Sequence, residues 1–277
     1  MKTSEILIEA LEYIREFKDA VFVVKLGGEV LVDADVVETV AKDLAFLGFV
    51  GIKCVVVHGG GKRISTAMEE AGKKPVFVGG LRVTDAETIR IAEEVLNEVN
   101  REIAATIKGF GVKAASISGR KEGVFEVVKK EGEVDLGFVG EIVKTNPGVI
   151  EDYFSKAQVP IVSPIGVGSD GKSYNINADT AAAALAKALK ADKIILLTNV
   201  QGVLDKDGKL IRRLTLPAAK KLVSSDAVSG GMIPKLRACI KALEHSVSKA
   251  HIVKASRHAL LEEILTREGT GTMITKS

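Results

Sequence analysis

Lys193-Ile194-Ile195-Leu196-Leu197-Thr198 decides the fold. Four consecutive apolar residues leave no polar face, so a strand built from them is covered on both sides, as in a parallel sheet flanked by helices. Similar short runs occur at Ala20 to Leu26, Cys54 to Val57, Lys113 to Ile117, Pro160 to Ile165 and Ala250 to Val253. Between them lie segments with helical periodicity: Asp35 to Phe49, Ile64 to Ala71, Asp85 to Lys108, Thr180 to Ala191 and Met232 to Ser246. This alternation predicts an α/β fold, a three-layer α-β-α sandwich with a mostly parallel central sheet. Val124 to Val143 breaks the pattern with strand-like runs around Glu131-Gly132 and Gly137, and reads as a hairpin excursion. No repeat or low-complexity linker divides the chain, so any two lobes share one sheet and change over near residue 185.

A chain of 277 residues that is 46% hydrophobic can bury a large core. Its 39 basic and 36 acidic residues are interspersed, which argues against a nucleic-acid groove. Cys54 and Cys239 stand far apart among apolar neighbours and read as core residues in a reducing compartment. The first twenty residues form an amphipathic pattern unlike a signal peptide, and no apolar run is long enough for a membrane span. The expectation is a cytoplasmic protein.

Two predicted strands end in glycines: Val23-Val24-Lys25-Leu26-Gly27-Gly28 and Val55-Val56-Val57-His58-Gly59-Gly60-Gly61. In a parallel sheet such ends border the ligand crevice, and glycine lets backbone amides approach an anion. The same glycines also serve tight strand-to-helix turns. Lys25 needs an explanation because an unpaired ammonium among buried neighbours is costly. A bound anion, a structural carboxylate or snorkelling to the surface would each supply one. Asp179, ahead of an alanine-rich helix, fits an N-cap. Asn175 and Asn177, alternating on its extended approach, offer amides to a ligand or to the turn. Lys235, in Ser229-Gly230-Gly231-Met232-Ile233-Pro234-Lys235, reads by itself as a solvated helix residue.

Gly166-Val167-Gly168-Ser169-Asp170-Gly171-Lys172-Ser173 has the spacing of a P-loop. A P-loop opens its helix at the lysine and serine, whereas here an extended Asn-Ile-Asn stretch follows, so a polar β-turn is the better reading. His58, His245, His251 and His258 show no metal-ligand spacing, and no serine lies in a nucleophile elbow. Phosphoryl transfer to a carboxylate needs neither, because the attacking group is already ionised. Lysines and glycine turns suffice to align two anions and neutralise charge.

Six segments in order resemble the amino acid kinase family: Val24 to Gly28, Val57 to Gly61, Gly80 to Asp85, Tyr174 to Asp179, Leu196 to Val203 and Gly230 to Lys235. The resemblance implies ATP-dependent phosphorylation of the side-chain carboxylate of N-acetyl-L-glutamate, a step of arginine biosynthesis. A carrier-linked aminoadipate or glutamate is the alternative substrate, and a non-catalytic effector-binding protein of the same fold is the alternative class. By position, Lys25 and Lys235 would stabilise the phosphoryl group in transit, with Asp179 holding both. Gly28, Gly60 and Gly61 would receive anionic oxygens, Arg82 would clamp the substrate α-carboxylate, and Asn175 and Asn177 would bind near the acylated amine. Thr198, Asn199, Gly202, Val203, Gly231 and Met232 would cradle ATP, with Mg2+ carried on the nucleotide and no resident metal. Residues 19–185 would form the amino acid lobe and 186–277 the nucleotide lobe. Asn199, Gly79 and Lys254-Ala255-Ser256-Arg257 depart from the pattern, where relatives often have Asp, Asn and Asp-Gly-Arg, and leave nucleotide affinity and pocket detail open.

The chain ends carry a further expectation. Ser4 to Lys18 presents an apolar stripe of Ile6, Leu7, Ala10, Leu11, Ile14 and Phe17, which would pack on its own core or link dimers into a hexamer. It resembles the extra helix of arginine-inhibited members. The run Glu263 to Thr272 resembles their effector segment, with Glu263 meeting a guanidinium, Gly269 and Gly271 receiving a carboxylate, and Tyr13 nearby. The expected assembly is a homo-oligomer, either a dimer or a trimer of dimers.

Overall fold

The computed structural model describes residues 3–225, 228, 230–266 and 269–277. Ser229, Arg267, Glu268 and the side chains of Ile6 and Leu7 lie outside the described residues. The chain begins with α1 (Thr3–Phe17), β1 (Val21–Leu26), α2 (Ala34–Phe49), β2 (Lys53–His58) and α3 (Gly61–Glu70). A two-stranded ribbon, β3 (Phe77–Val78) and β4 (Leu81–Arg82), precedes the long α4 (Ala86–Gly109) and β5 (Ala114–Ser118). Then come β6 (Phe125–Lys129), β7 (Gly140–Thr145), α5 (Pro147–Ser155), β8 (Val159–Ser163), β9 (Ile165–Gly168), β10 (Ser173–Asn175) and α6 (Ala178–Ala188). The remainder is β11 (Lys193–Thr198), β12 (Arg213–Thr215), α7 (Leu216–Val223), α8 (Met232–Leu243), β13 (Lys249–Lys254), α9 (Ala259–Leu265) and β14 (Thr272–Thr275).

The central sheet runs β12-β14-β13-β11-β1-β2-β8-β5. Every pairing from β13 to β5 is parallel, and β14 lies antiparallel to β13. Alternation along the strands separates two cores. Val23, Val55, Val57, Ile194 and Leu196 pack with buried residues of α6 and α8, including Ala182, Leu185, Leu236 and Cys239. Phe22, Val24, Val56, Ile195 and Leu197 pack on the other face with Leu44, Val99, Ile103 and Leu260. That is the predicted sandwich. Both cysteines are fully buried, and burial pushes the Cys54 thiol up to about 12.

The predicted hairpin forms as β6 and β7, within a separate sheet of order β10-β9-β6-β7. Pro160 to Ile165, read as one strand, divides between the two sheets: β8 ends at Ser163, Pro164 lies in a bend, and β9 starts at Ile165. Proline has no amide to continue a ladder, which suits it to the change of sheet. The P-loop-like segment is the turn between β9 and β10, whose backbone closes on itself through Gly171 N to Gly168 O at 2.9 Å and Gly168 N to Lys172 O at 3.0 Å. Its amides therefore bind the turn.

α1 packs by its C-terminal end. Phe17 is buried and meets Phe22 edge-on at 5.5 Å, Tyr13 and Ile14 are half-buried, and Leu11 is exposed despite its place in the predicted stripe.

Candidate active site

Strand alternation builds the centre of the site. Lys25 follows Val23 by two residues and so points to the same face, where α6 and α8 lie. Its ammonium meets the Asp179 carboxylate at 2.7 Å. Lys235, one turn into α8, reaches the other oxygen of the same carboxylate at 3.3 Å. Lys235 is thus no solvated helix lysine: its side chain is only 16% exposed. Nor does Asp179 cap α6. Asn177 does, accepting from the Thr180 amide at 3.1 Å, and this frees the Asp179 carboxylate for the lysines. Burial pushes the Asp179 carboxyl up, but the two ammoniums outweigh it and hold the group below the usual carboxylate range. Burial wins at Lys25, whose ammonium holds its proton less tightly than an exposed lysine despite Asp179.

The two glycine turns face each other across this cluster. A Cβ on Gly28 would stand 3.0 Å from the Gly61 amide nitrogen and 3.4 Å from that of Gly60, so side chains are excluded where these backbones meet. A Cβ on Gly61, at the start of α3, would meet nothing within 4 Å, so this residue borders open space. The first amides of a helix have no intrahelical acceptor. At the rim, Lys62 pairs with Glu29 at 2.5 Å and ties one turn to the other. The crevice has a volume of about 1350 Å³ and is lined by Lys25, Gly28, Gly61, Asn177, Asp179 and Lys235, with Gly230 and Gly231 at its far side.

Arg82 ends β4 and is buried without a carboxylate partner among the described residues. Its guanidinium donates to Gly61 O at 2.7 Å, Ser65 Oγ at 2.9 Å and Met68 Sδ at 3.2 Å, beneath the Phe77 ring at 4.6 Å. Gly79 and Gly80 turn the ribbon above it with φ of 57° and 80°. Asparagine also tolerates that backbone, so the Gly79 departure leaves the turn intact. Asn175 is half-buried at the end of β10, and its backbone N–H donates to Phe138 O at 2.8 Å.

The expected nucleotide residues divide. Thr198 ends β11 and donates to the Asn199 side chain at 3.3 Å, while Asn199, Gly231 and the half-buried Met232 lie toward the surface. Gly202 and Val203 differ from expectation. Val203 is fully buried in the core, and its amide donates to Thr272 Oγ1 at 2.9 Å. At Gly202, φ is 151° and a Cβ would come within 2.5 Å of Thr272 Oγ1. These two residues anchor the loop to β14, a strand absent from the sequence reading. Among the described residues no group of three or more His, Cys, Asp or Glu could hold a metal, and no helix is long and apolar enough to cross a membrane.

The C-terminal segment also puts its groups to a different use. Glu263 is buried, with one oxygen 2.6 Å from His251 Nδ1 and the other accepting from the Thr270 and Gly271 amides at 2.6 and 2.9 Å. Burial pushes its carboxyl up, but His251 and these amides outweigh that and hold it low. Both oxygens and the Gly271 amide are therefore engaged with the protein's own chain. Gly269, with φ of 61°, passes directly over the carboxylate, where a Cβ would come within 2.7 Å of Oε2. Lys193, which the sequence reading passed over, is buried beside them with its ammonium 3.9 Å from the Phe17 ring centre.

Comparison with known proteins places these features. An acetylglutamate kinase from Caldanaerobacter subterraneus subsp. tengcongensis is 46% identical over 278 residues, covering 99% of this chain and 93% of that protein. One from Methanocaldococcus jannaschii is 44% identical, covering 100% and 97%. The structure of N-acetylglutamate synthase from Neisseria gonorrhoeae with coenzyme A and N-acetyl-glutamate superposes on the whole chain with a TM-score of 0.90 at 26% identity, and this chain spans 64% of it. Giardia lamblia carbamate kinase bound to AMP-PNP shares the fold at a TM-score of 0.68 and 16% identity, over 93% and 99% of the two chains. With residues 20–254 matching the amino acid kinase family as a unit, the chain belongs to that family.

Proposed function

We propose that the protein transfers the γ-phosphoryl group of ATP to the side-chain carboxylate of N-acetyl-L-glutamate, giving an acyl phosphate and ADP. The observation that carries this reading is the Lys25–Asp179–Lys235 cluster beside two opposed glycine turns. The attacking carboxylate is anionic at neutral pH, so the work lies in bringing two anions together and neutralising charge as the phosphoryl group moves. Lys25 on the sheet side and Lys235 on α8 offer that neutralisation from two directions, and Asp179 keeps both ammoniums oriented. Amides of Gly28, Gly60 and Gly61 receive anionic oxygens at a helix N-terminus. Arg82, which holds Gly61 O, would clamp the α-carboxylate, and Asn175 with Asn177 would bind near the acylated amine. The lysines and backbone amides of this site suit anions, so Mg2+ would be held by the ATP phosphates and would neutralise part of their charge.

The substrate is tested with Mg-ATP and hydroxylamine trapping, offering N-acetylglutamate, N-acetylaspartate, glutamate and aspartate in parallel. Hydroxamate from N-acetylglutamate alone is the expected result. Turnover only of a carrier-linked glutamate or aminoadipate would overturn it.

Two finer readings accompany this. The lobes change over near residue 185, within α6; residues 19–185 supply the amino acid side and 186–277 the nucleotide side. The protein also acts in the cytoplasm as a homo-oligomer, a hexamer of three dimers joined through α1 and inhibited by L-arginine. Exposed Ile8 and Leu11 on α1, at 65% and 46%, support the joining role. The cluster of Tyr13, Phe17, Lys193, His251 and Glu263 supports an effector pocket at the base of that helix, in which a guanidinium reaches Glu263 by displacing His251.

A further inference from the structure

His58 is the last residue of β2, fully buried, and directly precedes the glycine turn. Its Nδ1 stands 3.0 Å from the Gly59 carbonyl oxygen, and its Nε2 stands 3.1 Å from Asn100 Oδ1 on α4. The Asn100 amide in turn donates to the Ile117 carbonyl of β5 at 2.7 Å. The Ile117 carbonyl cannot donate, so reversing the Asn100 amide would set two acceptor oxygens against each other. Both ring nitrogens therefore face oxygens, and a ring with one proton satisfies only one of them. Burial lowers the ring to about 4, so at neutral pH it carries a single proton.

Gly59 C=O and Gly60 N–H belong to one planar trans peptide and point in opposite directions. Whatever grips the Gly59 oxygen also aims the Gly60 amide. Gly59 itself is tied on its other side, its amide donating to Leu26 O at 2.9 Å. The carbonyl of the peptide between Gly59 and Gly60 has no backbone donor among the described residues, and glycine on both sides allows orientations closed to other residues. The amide it carries lies next to Gly28, where the opposed turns meet. A carbonyl that accepts a hydrogen bond also polarises its peptide and strengthens the donor at the other end.

We propose that His58 is a positioning residue for phosphoryl transfer: the single ring proton sits on Nδ1 and holds the Gly59 carbonyl, so that the Gly60 amide is fixed toward the anion in the crevice, while burial keeps the ring in place. This rests on the reading of the glycine turn as an anion cradle, but its first test does not depend on catalysis. Nitrogen-15 NMR of the intact wild-type protein should show the His58 proton on Nδ1. A proton on Nε2 alone would leave the Gly59 carbonyl unheld and overturn the assignment.

Kinetics supply the second test. His58→Leu keeps bulk and loses the donor, so kcat should fall at least about tenfold, in the range seen when one preorganised donor is lost or misdirected. His58→Asn places an amide N–H near the position of Nδ1 and does not extend to Asn100, and should retain kcat to within about threefold, under 1 kcal/mol of barrier. Both variants remove the buried ring from beside Asn100, so a purely structural role predicts a loss of activity that does not depend on whether the Gly59 carbonyl keeps a donor. Wild-type kcat in His58→Leu, or the same loss in both variants, overturns the proposal. Inactivity of the wild type toward N-acetylglutamate would defeat the substrate reading alone, with the ring tautomer still deciding this one. If His58→Leu does not fold, the tautomer and His58→Asn remain decisive.

Discussion

Asp179→Asn removes one negative charge and almost no volume from beneath two ammoniums. The carboxylate is 4% exposed, 2.7 Å from Lys25 and 3.3 Å from Lys235. At an effective dielectric near 20, two unit charges about 4 Å apart interact by about 4 kcal/mol, and breaking a buried pair by removing one partner costs about 3–5 kcal/mol. Asparagine still accepts a hydrogen bond, and Lys25 can shed its proton at about 1.4 kcal/mol per pKa unit, so the lower end applies. A loss of about 3 kcal/mol lowers the melting temperature by roughly 6–12 °C in a chain of this size. The effect has a definite pH signature. Because the folded Asp179 carboxyl lies below its unfolded value, its contribution is fully present above the unfolded value and disappears as pH falls through the folded one. Melting curves of wild type and variant should therefore converge in acid and separate at neutral pH. Activity should fall more than about 100-fold, since both lysines lose their common anchor. A variant that melts within about 1 °C of wild type at pH 7 and turns over within about threefold would refute the reasoning.

Three further outcomes follow from other parts of the structure. Arg82→Ala should raise KM for N-acetylglutamate by at least about tenfold with a smaller change in kcat, because an α-carboxylate keeps its charge through the reaction; steady-state kinetics decide it. Gly202→Ala should destabilise by about 1–3 kcal/mol in thermal melts, since φ is 151° and the new methyl meets Thr272. Removing residues 1–12 keeps Phe17 in the core while deleting exposed Ile8 and Leu11, and should give an active dimer whose rate no longer responds to millimolar arginine, read by light scattering and assay. An intact protein that is already dimeric and indifferent to arginine would contradict the assembly reading.

The strands most readable in sequence were those whose burial is uniform. Lys193–Thr198 is a strand over its whole predicted length, because no register of an unbroken apolar run leaves it half exposed. Strands set by partners were hidden. Thr272–Thr275 alternates weakly and exists by pairing with β13, and Ile165–Gly168 was fused to β8 because apolar character continues across the Pro164 bend. At the site, Lys25 was legible as an anomaly, a cation in an apolar run. Its partner came only through the family resemblance, since Asp179 lies 154 positions away and local capping rules read it as the cap of α6, a role that Asn177, two residues earlier, fills. Lys235 looked ordinary for the same reason: only the packing of α8 on α6 brings it to Asp179. Val203 is a motif residue whose side chain and amide both turn inward to β14 and the core, a use the local sequence does not show. Glu263 is expected from the sequence to meet a guanidinium, whereas in this structure its partners are His251 and two backbone amides of its own chain.

The most direct test of the account is the separation of kcat from KM in Lys25→Ala and Lys235→Ala, measured as hydroxamate formation with both substrates saturating. Charge that develops as the phosphoryl group moves is met most strongly in the transition state, so each variant should lose at least about 100-fold in kcat while KM for N-acetylglutamate changes by about threefold or less. Turnover within about twofold of wild type in either variant, less than 0.5 kcal/mol of barrier, would contradict the role assigned to that lysine and with it the centre of the site.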